Sequence, residues 1–184
     1  MRILLVATHP DDAMAVEQAL TSVGHTIATC HDDHGGPCRG VDHLEECPLE
    51  SSVDLAVIAR SPQSHHGLDE MGAVCAARHR VGVVELDPSR AADTSLYDLA
   101  DAAEARLCSE YEASVTATLR ETSPMTPLSV TVRRHDRDIC VRLELDVRAT
   151  PLEMTALADR ARAGVRRHDR FARTIDVSVV HGAC

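Results

Sequence analysis

The sequence predicts an α/β domain followed by a small α+β domain, with a long helix between them. Two patterns predict this fold class. Uninterrupted apolar runs that alternate with helical patterns, near the start of the chain, are typical of buried parallel strands. Further along, strict alternation of apolar and polar residues is typical of strands with one exposed face. With 184 residues and 44% hydrophobic content, the chain is long enough for two compact units at most.

The predicted α/β domain covers residues 1–90 and contains two strand–helix–strand units. Gly24 follows the first helical pattern and marks its end. The predicted elements are a strand at 2–7, a helix at 12–23, a strand at 25–30, a strand at 53–59, a helix at 68–80 and a strand at 81–86. Short connections between such elements favour a parallel sheet with right-handed crossovers. The second helix is expected to face the sheet with Leu68, Met71, Gly72, Cys75 and His79.

Residues 30–52 interrupt this alternation. The stretch has neither a helical nor a strand period, and it is dense in His, Cys, Asp, Glu and Gly. We therefore expect a long loop without regular structure. Loops of this length inside compact domains are usually functional or disordered. The loop begins at the carboxyl end of the second strand, which is the edge where open α/β sheets bind their ligands.

A long helix is predicted at 93–121, where apolar residues recur at steps of three and four from Leu96 to Leu119. At about 1.5 Å per residue, it would extend roughly 40 Å. Such a helix either packs across the first sheet or connects two units and takes part in dimerisation. Both interpretations stay open at this point.

The remaining residues, 126–184, predict the order strand, strand, helix and strand. Alternating apolar residues mark strands at 128–132, 139–147 and 175–179. Thr150, Pro151 and Glu153 supply an N-cap, a first-turn proline and a capping-box glutamate for a helix that runs to about His168. This ββαβ order resembles small accessory or dimerisation domains, such as the cytosolic domain of cation-diffusion transporters and alkaline-shock-type proteins. The resemblance implies self-association as a homo-oligomer or binding of a protein partner.

Composition and cysteine usage exclude several classes of function. The formal net charge of −10 and the 2% aromatic content argue against nucleic-acid binding, which needs positive fields and stacking platforms. The absence of lysine excludes P-loop, lysine Schiff-base and kinase-type ATP sites. No apolar run reaches transmembrane length and the start lacks a signal-peptide pattern, so we expect a cytoplasmic protein without membrane contact. Seven cysteines, an odd number, then favour burial or metal ligation over disulfides.

A first candidate site is formed by cysteines and histidines of the loop. Cys30, Cys38 and Cys47 lie at intervals of eight and nine residues. Thiolates and imidazoles are the ligands that zinc and iron–sulfur clusters select. Cys75 supplies the fourth ligand if the loop folds over the second helix. Otherwise the fourth ligand is one of the interleaved histidines, His31, His34 and His43. The competing interpretations are a reduced, metal-free loop and, for Cys75, a buried core cysteine.

The first half of the chain also resembles the receiver domain of response regulators, which has a flavodoxin-like parallel sheet. The resemblance rests on the strand at 2–6, the helix that ends at Gly24 and the strand at 53–59. Receivers carry an acidic pair after the first strand, a phosphoacceptor aspartate at the end of the third and a lysine after the fifth. Here Ala7-Thr8 and Ala59 occupy the first two places, and lysine is absent. The resemblance implies a receiver-like domain that is not phosphorylated in the usual way.

A second candidate site is the turn Ala-Thr-His-Pro-Asp-Asp at 7–12. It resembles the zinc-binding turn of the de-N-acetylases that remove acetyl groups from amino sugars. The resemblance implies that His9 and Asp12 hold zinc and that Asp11 is the general base of an amide hydrolysis. A later histidine ligand would be His65 or His66. The same turn is also compatible with a plain helix N-terminus, in which an aspartate satisfies first-turn amides.

The sequence thus favours a regulatory or scaffolding protein without catalytic activity. Its first domain would hold zinc or an iron–sulfur cluster, and loss or oxidation of that centre would alter the order of the loop and the binding of a partner. The zinc-dependent amide hydrolase is the first alternative. A metal-free protein-interaction module is the second.

Overall fold

The computed structural model describes residues 1–31, 38–42, 44–62, 70–123 and 125–181. They form two compact units, Met1–Ala103 and Glu104–Cys184, whose boundary lies inside the long helix. Within the described ranges, no helix is long and apolar enough to cross a lipid bilayer.

The first unit is built on a four-stranded sheet, and all of its strand pairs are parallel, as predicted. The strands are β1 (Arg2–Ala7), β2 (Thr26–Thr29), β3 (Leu55–Ala59) and β4 (Val83–Leu86). Their order across the sheet is β2-β1-β3-β4, so the chain crosses from one side of β1 to the other between β2 and β3. The carboxyl ends of β1 and β3 therefore form the edge where parallel sheets of this kind bind ligands.

Alternate residues of the central strand β1 enter two separate cores, because successive side chains of a strand point to opposite faces. Ile3 and Leu5 pack with helix α1 (Pro10–Ser22), which buries Ala13, Val16 and Leu20. Leu4 and Val6 belong to the core on the other face. Burial on both faces explains why the strands read as uninterrupted apolar runs.

The second core contains helix α3 (Met71–Arg78), which is shorter than the predicted helix at 68–80. Gly72 and Ala76 are its buried residues, whereas Met71 is 50% exposed. Met71 is therefore wrongly assigned to the sheet-facing side, and Leu68 lies outside the described residues. The helix ends at His79 because Arg80 adopts a left-handed φ of 57° and Val81 N donates to Ala76 O.

The prediction of an irregular loop at 30–52 is wrong in part. The segment contains helix α2 (Arg39–Asp42) and two 3-10 turns, Leu44–Glu46 and Pro48–Glu50. Pro48 starts the second turn, and Glu50 N donates to Cys47 O at 3.0 Å. Elements of three or four residues are too short to produce a recognisable period in the sequence, which is why the pattern missed them.

The long helix, α4 (Leu96–Thr122), contributes to the core of each unit with a different part of its length. Leu96, together with Leu99, Ala100 and Ala103, packs into the α1 side of the first unit. Tyr111, Val115 and Leu119 are fully buried in the core of the second unit. The helix thus supplies apolar residues to the core on the α1 side of the first unit and to the core of the second unit.

The second unit has the order β5 (Ser129–His135), β6 (Asp138–Leu145), α5 (Pro151–His168) and β7 (Thr174–His181). β6 is the central strand and pairs antiparallel with β5 and parallel with β7. Ile139, Val141, Leu143 and Leu145 form its buried face, as the alternation predicts. Val147 and Leu128 lie outside the strands and are 49% and 67% exposed, so their inclusion in strands is wrong.

Local polar contacts fix the ends of this unit. Thr150 and Glu153 form the predicted capping box, in which Thr150 Oγ1 accepts from Glu153 N and Glu153 Oε2 accepts from Thr150 N. In the core, Tyr111 Oη donates to Asp169 Oδ2 at 2.6 Å. The second oxygen of Asp169 accepts from Phe171 N at 2.8 Å. The buried carboxyl group therefore holds the end of α5 against α4.

Tyr111→Phe removes the phenolic donor and leaves one oxygen of Asp169, a residue only 6% exposed, without this partner. We expect a loss of about 2 kcal/mol in the free energy of unfolding, measured by chemical denaturation. The control is Tyr97→Phe, since Tyr97 is 62% exposed, and it should change stability by less than about 0.5 kcal/mol. Equal effects of the two substitutions would contradict the assigned role of the buried pair.

Candidate metal centre

The four predicted cysteine ligands lie around one core on one face of the first sheet. Cys30 directly follows β2, Cys38 precedes α2, Cys47 precedes the turn Pro48–Glu50, and Cys75 lies in α3. Cys30 is buried among Leu4, Val6, Leu49, Ala56 and Ala76, and the other three cysteines pack against this cluster. The structure therefore brings together residues that are distant in the sequence, such as Cys30 and Cys75, which are 45 positions apart.

Two glycines make room for the sulfur atoms. A Cβ added to Gly72 would lie 3.2 Å from Cys30 Sγ and 2.9 Å from a methyl group of Val6. A Cβ on Gly40 would lie 3.0 Å from Cys47 Cβ and 3.5 Å from its Sγ. Larger residues would push α3 away from the sheet or α2 away from Cys47. Small size at positions 72 and 40 is thus a condition for the cluster.

The backbone holds the segments that carry the cysteines. Arg39 N donates to Cys30 O at 2.9 Å, which fixes the backbone next to Cys38 against the end of β2. Cys47 O accepts from Glu50 N, and Cys75 O accepts from His79 N at 2.9 Å. The contact between Cys30 and the segment that starts at Cys38 is therefore made by the main chain as well as by side chains.

The thiol groups are close enough to affect one another electrostatically. The pKa of Cys30 is raised to about 12, first by burial and then by negative charge at Cys38, Cys47 and Cys75. The pKa of Cys75 is also raised, first by burial and then by Cys38 and Cys47, while Arg78 acts in the opposite direction. Several thiolates in one apolar region repel one another unless a cation neutralises them.

The described side chains do not surround a common point. In the part of the chain that the structure describes, no group of three or more His, Cys, Asp or Glu residues has an arrangement that would hold a metal ion. The six cysteines that the structure describes are free thiols. Protonated thiols pack as small apolar groups. The four cysteines can therefore share one core without coordinating a metal.

His31 is the one predicted histidine ligand of the loop that lies within the described residues. His31 follows Cys30 and lines a small crevice with Thr29, Cys30 and Gly72 at the carboxyl end of β1 and β2. Its Nδ1 atom is buried and has no hydrogen-bond partner among the residues that the structure describes. An imidazole nitrogen in this position could serve as a ligand or could hydrogen-bond a coordinated sulfur. His34 and His43 lie outside the described residues.

The turn that resembles the de-N-acetylase motif lies at the start of α1. His9 is the N-cap residue, is exposed, and makes no capping hydrogen bond with its side chain. Asp11 is also exposed, whereas Asp12 Oδ2 accepts from Ser61 N at 3.2 Å. Asp12 therefore links the start of α1 to the chain after β3. His65 and His66 lie outside the described residues, so the predicted ligand set is only partly placed.

A charged network at the carboxyl edge of the sheet, which the sequence did not predict, joins the ends of β3 and β4 to the start of α3. The Arg60 guanidinium donates to both carboxylate oxygens of Glu70, at 2.6 and 3.2 Å, and to Glu85 at 2.8 Å. Thr8 Oγ1 donates to Glu70 Oε1 at 3.1 Å. The side chains of Arg60 and Glu70 are only 9% and 11% exposed. The sequence signal for this network is weak. Arg60 directly follows an apolar strand, but Glu70 and Glu85 lie 10 and 25 residues further along the chain, so their pairing with it has no local pattern.

Glu70 immediately precedes α3, so this network attaches the start of the helix to the ends of β1, β3 and β4. The same helix carries Gly72 and Cys75. Bidentate pairing of a guanidinium with a carboxylate is directional as well as strong. The network therefore contributes to the position of the cysteine cluster without taking part in it.

No protein-family model, no curated protein and no solved structure matches this chain.

Gly72→Ala tests the packing that places α3 on the sheet. Alanine favours a helix over glycine by about 1 kcal/mol, but overpacking against Val6 and Cys30 costs about 1–3 kcal/mol. We expect a net loss of about 1 kcal/mol in the free energy of unfolding, measured by chemical denaturation. Ala77→Ser, at an exposed position of the same helix, is the control and should have little effect. A variant more stable than the parent would show that the close approach does not exist.

Proposed function

We propose that this chain is a regulatory or scaffolding protein without catalytic activity that binds zinc or an iron–sulfur cluster. The ligands are Cys30, Cys38, Cys47 and Cys75, with His31 as an alternative to one of them. One observation carries this proposal: cysteines from the end of β2, the segment 38–50 and α3 pack against the same small core.

The chemistry of the donors supports a thiophilic centre. Four thiolates form the usual ligand set of structural zinc sites and of iron–sulfur clusters. Metal binding displaces the thiol protons and removes the repulsion between neighbouring thiolates. A bound metal would draw together thiols that already pack with one core.

The segment 38–50 supports a structural role for the metal. Its regular elements are three or four residues long. Among the side chains that the structure describes for this segment, Leu49 is the large aliphatic one that is buried in the core. Such short elements have little stability of their own. A metal that joins Cys38 and Cys47 to Cys30 and Cys75 stabilises the segment, so metal binding controls whether this surface is ordered.

The proposal assigns the first unit to receiver-like, flavodoxin-like domains. The strand order β2-β1-β3-β4 supports this assignment. Ala7, Thr8 and Ala59 stand where a phosphorylatable receiver carries acidic residues, and the chain has no lysine. Regulation by phosphorylation is therefore replaced, in this proposal, by regulation through the metal. Free thiols suit a cytoplasmic location.

The second unit is assigned to self-association or to binding of a protein partner. Its order of elements is the ββαβ order of small accessory domains. Large apolar side chains on its surface support the assignment, namely Leu128, Val147, Leu152 and Phe171. The acidic net charge of −10 argues against a nucleic-acid partner.

Two double variants separate the proposed centre from the hydrolase alternative. Cys38→Ser with Cys47→Ser should abolish bound metal, because two of four ligands are lost. His9→Ala with Asp12→Asn should leave the metal content unchanged. Elemental analysis and a visible absorption spectrum of anaerobically purified protein measure both, and charge-transfer bands distinguish an iron–sulfur cluster from colourless zinc. The reverse pattern would favour the hydrolase, and parent protein without metal would favour the metal-free module.

Removal of the metal with a chelator should loosen the segment 38–50. A site held at about 1,000 times its dissociation constant in free metal stabilises the folded state by about 4 kcal/mol. We therefore expect a lower unfolding temperature and faster tryptic cleavage after Arg39 in the chelated protein. Re-addition of the metal should reverse both effects. Cleavage at Arg39 that is equally fast with and without metal would contradict the structural role.

A further inference from the structure

Strand β7 is an edge strand of the second unit that lacks the usual protection against pairing with another strand. In the part of the chain that the structure describes, β7 pairs with β6 alone, and its other side has no strand neighbour. Its eight residues pair with β6 in an unbroken register, so no bulge interrupts the edge. The strand contains no proline, and Asp176 is its one Asp, Glu, Lys or Arg residue. Edge strands are usually short, bulged, charged or interrupted by proline, because an open edge is a template for another strand.

The opposite edge of the same sheet, strand β5, is protected. Val132 N donates to Glu112 Oε1 at 2.9 Å, so a side chain of α4 occupies a main-chain donor of this strand. The strand also carries two consecutive arginines, Arg133 and Arg134. Charged side chains on an edge strand disfavour pairing with another edge. Of the two edges, β7 is therefore the one at which another strand can add.

The core-facing side of β7 is only partly covered. Ile175, Val177 and Val179 pack against the core of the second unit, but all three are only partly buried. The core-facing residues of the neighbouring strand β6 are all buried. A strand added at the edge would cover β-branched side chains that a single copy leaves partly exposed, and this burial of apolar surface is favourable.

We propose that β7 pairs antiparallel with β7 of a second copy of this chain, about a two-fold axis at Val177, and that the two three-stranded sheets form one six-stranded sheet. The inference deepens the part of the proposed function that assigns the second unit to self-association, on which it rests, and it needs no bound metal. A two-fold axis perpendicular to the sheet reverses the strand direction and keeps the helix-covered faces on the same side. Such an interface is closed, so it produces dimers and not open chains.

The register about Val177 places apolar residues opposite one another on the core-facing side. Directly opposite residues of antiparallel strands point to the same face of the sheet. Val177 then opposes Val177 of the second copy, and Ile175 opposes Val179 of the second copy. A shift of the axis by one residue, to Asp176, would place two carboxylates directly opposite each other, which is destabilising. The sequence of the strand therefore favours the axis at Val177.

On the exposed face, the same register brings opposite charges together. Asp176 opposes Ser178 of the second copy, and Arg142 is the neighbour of Ser178 on β6. Asp176 is thus two strand spacings, roughly 10 Å between Cα atoms, from Arg142 of the second copy. Arg142 is 58% exposed and donates to Glu144 Oε1 at 3.1 Å. Because a guanidinium has five N–H donors, it can bind this second carboxylate as well, and the two-fold axis provides the pair twice.

Cysteine cross-linking tests the register. Val177→Cys is introduced into the full chain, in which Cys108, Cys140 and Cys184 are replaced by serine. The Cα atoms of the two copies of residue 177 would lie roughly 5 Å apart, a distance that a disulfide spans. We expect mild oxidation to give a covalent dimer, linked at the substituted position, by peptide mapping without reduction. Val179→Cys is the matched control, because its two copies would lie roughly 14 Å apart and should not be linked. The background without either substitution shows any link through the remaining cysteines.

Introduction of like charges tests the association itself. Asp176→Lys with Ser178→Lys changes two exposed side chains, and in the proposed register each lysine opposes a lysine of the second copy. We expect this variant to sediment as a monomer at concentrations at which the parent protein is a dimer, measured by analytical ultracentrifugation. Thr131→Lys with Asp146→Lys is the control, because it makes the same change in charge at exposed positions outside β7 and should leave the dimer intact. Circular dichroism of each variant shows whether it is folded.

The outcomes separate this inference from the proposed function. Parent protein that is monomeric at every concentration would overturn the pairing and the assigned self-association, while elemental analysis of the same sample still tests the metal centre. A dimeric parent that forms no link through Val177→Cys, or that stays dimeric with the two lysines in β7, would overturn the strand pairing and leave self-association through another surface. A dimer that forms the expected link but contains no metal would overturn the proposed metal centre and leave the pairing intact.

Discussion

The close approach of helix α3 to strand β1 is the constraint on which the cysteine cluster depends. Gly72 allows it, because any side chain there would meet Val6 and the Cys30 sulfur at less than normal contact distance. Ala76, one helical turn later, continues the same buried line. Cys75 lies beside that line and so reaches the face of the sheet where β2 ends. A helix displaced by the width of one methyl group would move Cys75 away from the core that it shares with the other three cysteines.

Topology supplies the rest of the cluster. Since β2 neighbours β1, the residue after β2 falls next to Leu4 and Val6, and the chain must cross this face to reach β3 on the other side of β1. The described part of the crossing segment, at 38–42 and 44–50, contains short helical turns next to Cys38 and Cys47. Parallel connections of this kind normally contain a longer helix. Here cysteine side chains occupy part of the space that such a helix would fill with apolar residues.

Local patterns in the sequence predicted the strands, the parallel sheet and the capping box at Thr150, because each of these leaves a periodic or positional signal. They also singled out four cysteines as candidate ligands, three in the aperiodic stretch and Cys75 in the second helix. The structure packs all four with one core, and their role as ligands stays a prediction. Contacts between distant residues were not predictable in the same way. The pairing of Arg60 with Glu70 and the packing of Cys30 on Gly72 depend on how elements cross in space. Met71 was misplaced for a related reason, because on a short helix a shift of one residue changes which side chains face the sheet.

The ion pair between Arg60 and Glu70 restricts how the sequence of this chain can diverge. Replacing either residue alone leaves a largely buried charge without its bidentate partner, since Arg60 would keep only the exposed Glu85, so single replacements are destabilising. A neutral pair of similar volume is tolerated far better than a single replacement. Positions 60 and 70 are therefore expected to covary in any related sequence, retaining opposite charges or losing both together. Joint variation at these two positions, combined with glycine at 72 and cysteine at 75, is a signature by which distant relatives of the chain could be recognised.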